Sequence, residues 1–395
     1  MIQEWVNLGM WWLQSMLKDW WALCLSLCLV LLVSLVLLLS TNEGLLRQVE
    51  GKIGGVLLEL GSKKLLDKAG LQKKQIFVGG TTNVIMHYYE RNPTNDTTND
   101  TTNDTTNSST SSSCKTILLC HGMTSESKNM STLVKLLAEA FPTWRMIAPD
   151  CLGHGHDLQR AIQLYQNGQD FEYPSPEQMG HCVMDLLDTL KIEQVYAYGA
   201  SMGGALVYFL QQKRPELVTH AMLISPAVEA VLDDKFLADW ESGRKKHFCW
   251  TSRNDVELFM QDLSCPQRKA NPIPSFMLQA IWEERQRNEP PGHFKNYFNN
   301  LLEHKGKDPD WMGTPVDCAP ELPRLVLWPE EDFISNFKKG KAFFQKSHNT
   351  QFLPLPDCGH LFHADGKTVL VHAAPYFIDY IQKQELSIDK AKDEL

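Results

Sequence analysis

Apolar positions along this chain fall into two rhythms. Short apolar runs recur at 116–120, 145–148, 195–198, 220–224, 325–328 and 352–355, three of them opening on a polar residue (Thr116, Arg145, His220). Three to five apolar residues in a row without polar alternation mark strands buried on both faces. Between them the spacing turns helical near 131–140, 176–190 and 203–213, and again in a last helix at about 367–384. Strand and helix in alternation predict a mostly parallel sheet with helices on both faces. Upstream, 75–78 and 83–90 read as paired strands around Gly79-Gly80-Thr81-Thr82.

Three stretches break the rhythm. Residues 227–311 carry aromatics at helical spacing, among them Phe236, Trp240, Phe248, Trp250, Phe259, Phe294, Tyr297 and Phe298. They predict a helical cap inserted between the sixth and seventh strands. Most of its aromatics belong to the cap's own core; the alternatives for the rest are lining an acyl-chain tunnel, a role for a minority, or touching the bilayer. Residues 91–114 are a polar insert built on the repeat NDTTNDTTNDTTNSST, which can be long at little entropic cost. Residues 22–40 carry no charge. Nineteen helical residues rise ~28 Å, about one hydrocarbon core. Trp20 and Trp21 abut this run as interfacial anchors do.

The chain therefore divides into an interfacial segment (1–21), a transmembrane signal-anchor (22–40), a juxtamembrane stretch (41–74) that is helix-prone around 56–66, a first core segment (75–226), the cap (227–311), a second core segment (312–387) and a tail (388–395). The alternative for 22–40 is a cleaved signal peptide, against which the long leader and the lack of a small-residue cleavage site after Ser40 both speak.

The tail ends Lys392-Asp393-Glu394-Leu395, an address read by the retention receptor of the endoplasmic reticulum lumen. Asn95, Asn99, Asn103, Asn107 and Asn129 each open an N-x-Ser/Thr triplet, glycan acceptors in a lumenal setting, whereas Pro93 excludes Asn92. Lys18 before the run, against Arg47 and Lys52 after it, leans the other way under the positive-inside rule. The retention address and the triplets outweigh that one-residue bias. The expectation is an endoplasmic reticulum membrane protein with its globular part in the lumen.

Composition adds exclusions. Hydrophobic residues make up 43% and charged residues 22% of 395, as in ordinary globular chains. A net charge of −9 with no basic cluster excludes a nucleic-acid partner. The 10 cysteines include Cys24 and Cys28 in the apolar run, show no C-x-x-C and no metal-ligand spacing, and leave Cys120 and Cys182 as buried free thiols. No metal or organic cofactor is expected.

The chemistry gathers at strand ends. Gly199-Ala200-Ser201-Met202-Gly203 follows one apolar run and opens a helix. Small neighbours let a serine occupy a strained strand-to-helix turn, with helix N–H groups aimed at its hydroxyl. Upstream, His121-Gly122-Met123 ends the 116–120 strand, and the backbone N–H groups of Met123 and Met202 are the expected oxyanion donors. Downstream, Pro329-Glu330-Glu331-Asp332 follows a strand. Asp332 is the expected acid, Glu330 and Glu331 read as solvated loop charges, and Glu229 and Asp233 are further candidates. Asp357-Cys358-Gly359-His360 follows the last strand, with His360 the expected base and His363 its alternative. His154, His156 and His372 are assigned to turns and helix faces, and Asp150 to pinning its own loop. Ser, Asp, His is the chain order of α/β-hydrolases.

From about residue 75 to 385 the sequence resembles the α/β-hydrolase fold family, and more narrowly its membrane-anchored monoacylglycerol lipases. The residues carrying this are His121-Gly122-Met123, Lys128-Asn129-Met130, Gly199-Ala200-Ser201-Met202-Gly203-Gly204, Trp328 with Asp332, Asp357-Cys358-Gly359-His360, and in the cap Ile273-Pro274-Ser275-Phe276-Met277-Leu278-Gln279 and Phe294-Lys295-Asn296-Tyr297-Phe298. Pro329 stands where the family has Gly. The resemblance implies Ser201, Asp332 and His360 as a triad and a lipid ester as substrate. Thioesterase, perhydrolase or peptidase chemistry on the same triad, and a non-catalytic lipid-binding glycoprotein of the same fold, are the competing readings.

Overall fold

The computed structural model describes residues 43–80, 83–93, 114–244, 247–264, 273–304, 322–360 and 373–393. Its spine is one eight-stranded sheet of β1 (Gln72–Val78), β2 (Val84–Arg91), β3 (Thr116–Cys120), β4 (Arg145–Pro149), β5 (Val195–Ala200), β6 (Val218–Ile224), β7 (Arg324–Pro329) and β8 (Thr350–Leu355). The order across the sheet is β1-β2-β4-β3-β5-β6-β7-β8. β2 runs antiparallel to both neighbours, and all pairings from β4 to β8 are parallel.

The unbroken apolar runs become strands with both faces covered. Every residue of β3, β5 and β7 is buried. Strand alternation sends Leu118 and Cys120 to one core, with Ala197 and Phe209. Ile117 and Leu119 go to the other, with Tyr196, Tyr198 and Phe377. The helices that close these cores follow in chain order: α1 (Glu43–Ala69), α2 (Ser131–Ala140), α3 (Asp157–Gln166), α4 (Pro176–Thr189) and α5 (Met202–Lys213). A reciprocal cap between Ser175 and Gln178, with Pro176 at the first helical position, fixes where α4 begins.

Between β6 and β7 the chain leaves the sheet to form the cap: α6 (Asp234–Glu241), α7 (Arg253–Leu263), α8 (Ser275–Asn288) and α9 (His293–Glu303). The cap's interior is aromatic. Phe236 lies edge-on to Phe248, Phe298 and Phe333, and Phe294 and Tyr297 are fully buried. After β7 come α10 (Phe337–Phe344) and, last, α11 (Ala374–Asp393).

Several elements differ in extent from the sequence expectation. α1 is 27 residues long, where the expectation was a helix-prone stretch around 56–66. Its glycines lower intrinsic helicity but let it lie against α8, where a Cβ on Gly54 would stand 2.4 Å from the Phe276 carbonyl oxygen. β1 begins at Gln72, drawn out by pairing with β2 up to Glu90, and β6 begins at Val218, which pairs with Val195. α11 continues through most of the segment assigned to the tail. α3 and α10 were not expected.

The expected span 22–40, the interfacial segment 1–21, Asn95, Asn99, Asn103, Asn107, His363, His372, Glu394 and Leu395 lie outside the described residues. Among the described residues, no helix is long and apolar enough to cross a membrane. Cys114, Cys120, Cys151 and Cys249 are free thiols, Cys182 and Cys358 are buried in the two cores, and burial pushes the Cys120 thiol up to about 12. No group of three or more His, Cys, Asp or Glu among the described residues could hold a metal ion.

Candidate active site

Ser201 sits between β5 and α5 with φ 54° and ψ −122°, a left-handed conformation that L-residues avoid. Only small neighbours tolerate the turn. A Cβ on Gly203 would lie 2.3 Å from the Cys120 carbonyl oxygen, and one on Gly199 would lie 2.2 Å from that of Gly203. The first N–H groups of α5 have no acceptor inside their own helix, so the helix presents free donors and its positive end beside Ser201.

His360, on the loop after β8, lies with Nε2 2.8 Å from Ser201 Oγ and Nδ1 2.7 Å from Asp332 Oδ2. The carboxylate can only accept at Nδ1, so that nitrogen carries the hydrogen and Nε2 accepts from the serine hydroxyl. Asp332 comes from the loop after β7. Its side chain is fully enclosed and that of His360 nearly so. The Asp332 carboxylate accepts two backbone N–H bonds at Oδ1, from Ile334 and Ser335, both 2.8 Å. At Oδ2 it accepts from His360 and also from the hydroxyl of Ser225, at the end of β6. The neighbouring Glu330 and Glu331 point to solvent. Asp233 caps α6 by accepting from the N–H of Lys235 and Phe236, and Glu229 opens a short 3-10 turn. Of the candidate acids, the fold brings Asp332 to the histidine.

The loop after β3 lies against the serine: a Cβ on Gly122 would be 3.4 Å from Ser201 Cβ. Met123 and Met202, the two expected oxyanion donors, flank the same cavity as Ser201. Two contacts hold this loop. His121 is fully buried, donates from Nδ1 to the Gly122 carbonyl (2.8 Å) and accepts at Nε2 from the Cys151 N–H (3.0 Å), tying β3's loop to β4's. Burial holds its imidazole below the usual range, in keeping with a neutral ring that both donates and accepts. From the cap, Arg285 donates to the Thr124 carbonyl and lies over the rings of Trp250 (4.9 Å) and Phe294 (5.2 Å). Asp150 pins its own loop, accepting from the His156 N–H at 3.2 Å, and ties it to the segment after β3 by accepting from the Ser127 N–H at 2.9 Å. Asn129 is exposed on a 3-10 turn beside this loop.

Ser201 and His360 open into a cavity of about 1730 Å³. Its apolar lining includes Phe248, Phe259, Met260, Leu263, Phe298 and Leu301, and its polar lining Lys128, Asn129, Arg285, Asn288 and Glu289. The inner side of α1 contributes Gly55, Val56, Glu59 and Ser62. Burial raises the Glu289 carboxyl above the ordinary range, with the Arg285 guanidinium opposing it.

Ser225 and Arg285 were not singled out in the sequence as site residues, and His121 was read only as part of the turn that carries Met123. Ser225 carries a signal in hindsight, since it follows the apolar run of β6 at the same sheet end as Ser201 and Asp332. Arg285 carries none, because its contact with Thr124 spans 161 residues of chain.

A sequence profile described as the alpha/beta hydrolase fold matches residues 115–367. An uncharacterized protein of Mycobacterium bovis is 34% identical over 113 residues, 28% of this chain and 28% of its own length. An uncharacterized carboxylesterase of Bacillus subtilis is 26% identical over 157 residues, 39% of this chain and 47% of its own. The matches thus span a quarter to a half of these curated relatives. Among solved structures, a bacterial membrane phospholipase A described as a virulence factor superposes with TM-score 0.63 at 18% identity, covering 89% of this chain and 98% of its own. A lipase of Acinetobacter baumannii does so with TM-score 0.61 at 18% identity, covering 84% and 97%. At such identity these likenesses speak for the fold alone.

Proposed function

The chain belongs to the α/β-hydrolase fold family, and from that premise we propose that it is a serine hydrolase cleaving a lipid carboxylic ester, a monoacylglycerol foremost, through an acyl-enzyme. One observation carries the reading: the unbroken hydrogen-bonded line from Ser201 Oγ through His360 to Asp332, opening into a large cavity.

The chemistry runs along that line. Ser201 Oγ attacks the ester carbonyl while His360 Nε2 takes its proton. Asp332 holds the ring with Nδ1–H toward the carboxylate and stabilises the imidazolium. The N–H groups of Met123 and Met202 receive the oxyanion. Collapse expels the alcohol, protonated by His360, and leaves the acyl chain on Ser201. Water, deprotonated by His360, then attacks the acyl-enzyme and releases the fatty acid.

The cavity supports the lipid part of the reading. Small-molecule sites commonly enclose roughly 300–1,000 Å³, and this one is larger. Phe248, Phe259 and Leu263 suit an acyl chain, and Arg285, Asn288 and Glu289 suit a hydroxyl-bearing head. The apolar run 22–40, the terminal Lys-Asp-Glu-Leu and the Asn triplets support placement in the endoplasmic reticulum membrane with the hydrolase in the lumen, where the retention receptor reads the tail. A glycosidase-sensitive shift in mass, lost on Asn129→Gln together with the four insert substitutions, tests that placement.

Glycerol release from a long-chain monoacylglycerol tests the activity, with the full chain against Ser201→Ala and with short esters and an acyl-CoA alongside. Hydrolysis of the long-chain ester that disappears in the variant is expected. Activity confined to acyl-CoA or short esters would replace the substrate assignment, and lipid binding without turnover would favour a binding module.

A further inference from the structure

The outer side of α1 is apolar and bare. Ile53, Val56, Leu57 and Leu60 are each more than half exposed. Their spacing of three, four and seven residues places them on one face of the helix. Four large aliphatics in one exposed stripe are unusual on a protein surface that meets only water. The next positions along the same face are Lys63 and Lys64, whose stems can lie on apolar material while their ammonium groups stay wet. An apolar stripe ending in lysines is the pattern of a helix lying in a membrane interface.

Three further observations narrow the occupant to lipid. α1 starts at Glu43, three residues after the charge-free run 22–40, so whatever holds that run holds α1 close by. α1 itself is not apolar enough to cross a bilayer, which leaves lying on one. Its opposite side is spoken for: Gly55, Glu59 and Ser62 line the cavity that reaches Ser201, and Gly54 packs against α8. Val56 belongs to both sides, half exposed on the stripe and also part of the cavity wall.

We infer that the Ile53–Val56–Leu57–Leu60 face of α1 docks into the bilayer surface and sets the cavity rim at Val56 against lipid, so that a membrane-resident ester enters the cavity along α1 without passing through water. The entry route rests on the lipid-ester reading above; the docking does not.

Two measurements on the full chain, reconstituted in phosphatidylcholine vesicles, test the two parts separately. First, p-benzoylphenylalanine replaces Leu57 and is irradiated. A phosphatidylcholine adduct is expected. A covalent dimer, a cross-link to residues 1–42 or no adduct would each overturn the docking, giving the face to a second copy, to the chain's own N-terminal segment or to solvent. Second, Ile53→Glu/Leu57→Glu/Leu60→Glu is compared with wild type on a vesicle-embedded monoacylglycerol and on a water-soluble short ester. Each glutamate resists transfer of its position into an apolar phase, so a drop of about tenfold or more in kcat/KM on the embedded ester is expected. Activity on the soluble ester should stay within about twofold, the range of ordinary surface substitutions. An equal fall on both esters would mean that the face serves folding, and no fall on either would overturn the entry route. If neither ester is turned over by wild type, the function reading fails while the lipid cross-link still decides the docking.

Discussion

Ser225→Ala removes a hydroxyl from the hydrogen-bond shell of Asp332. In the native site that carboxylate accepts four bonds: from Ile334 N–H, Ser335 N–H, His360 Nδ1–H and the Ser225 hydroxyl. The last two share Oδ2. Ser225 is 1% exposed and Asp332 lies beneath it, so water has little room to replace the lost donor. A hydrogen bond to a charged group contributes about 1.5–3 kcal/mol. Three of the four bonds survive and the ring contact is untouched, so the lower end applies, about 1.5 kcal/mol, or roughly tenfold in kcat/KM. The loss should sit in kcat, because Ser225 positions Asp332 and does not line the cavity. Ser225 also holds φ 44°, where glycine is easier than alanine. Ser225→Gly therefore serves as the partner variant: it loses the same hydroxyl, relieves the backbone and should lose the same activity while being the more stable of the two. Steady-state kinetics on a soluble ester, with denaturant midpoints for both variants, make the comparison. Activity within twofold of wild type in both variants would refute the idea that the Ser225 bond matters to the triad.

Other outcomes follow from the same contacts. Asp332→Asn puts an amide in a pocket whose Oδ2 accepts two donors, misorients His360 and should lower kcat on the order of 10³–10⁴-fold, read in the same assay. Gly203→Ala drives a methyl to 2.3 Å from the Cys120 carbonyl oxygen. It should cost about 3 kcal/mol of stability in a denaturant titration, at the upper end of overpacking effects, and abolish activity by displacing the Met202 N–H. His220, stacked on Tyr196 at 4.3 Å, is lowered by burial from 6.5 to about 4. The unfolded chain takes up this proton below pH 6.5 and the folded chain does not until about 4. Stability should therefore fall as the pH drops through that window, and His220→Gln should flatten the slope of the melting temperature there.

The parts legible in the sequence were those fixed by uninterrupted local pattern. Past their first residues, Thr116 and Arg324, β3 and β7 are apolar to the end, as β5 is from its start, because both faces are covered, which no amphipathic element imitates. The Gly199–Gly203 segment was legible because its two glycines answer a steric demand within five residues. Asp332 was harder. Three acids follow β7, and only burial separates the enclosed Asp332 from Glu330 and Glu331 in solvent. What escaped sequence reading depends on contacts distant in the chain. Ser225 is an ordinary strand-end serine until β6 and β7 are known to be neighbours. Arg285 resembles any cap arginine until α8 is seen over the loop after β3. α1 was underestimated because Gly51, Gly54 and Gly55 weaken it as an isolated helix, while its packing against α8 comes from tertiary structure.

The central claim is that Ser201 carries the acyl group. Rapid-quench mass spectrometry of the full chain with a slowly hydrolysed long-chain ester measures it directly. The account predicts a transient adduct of one acyl mass on the peptide containing Ser201, absent in Ser201→Ala and strongly slowed in His360→Ala. Undiminished ester hydrolysis by Ser201→Ala, or an acyl adduct on another residue of the wild type, would contradict it.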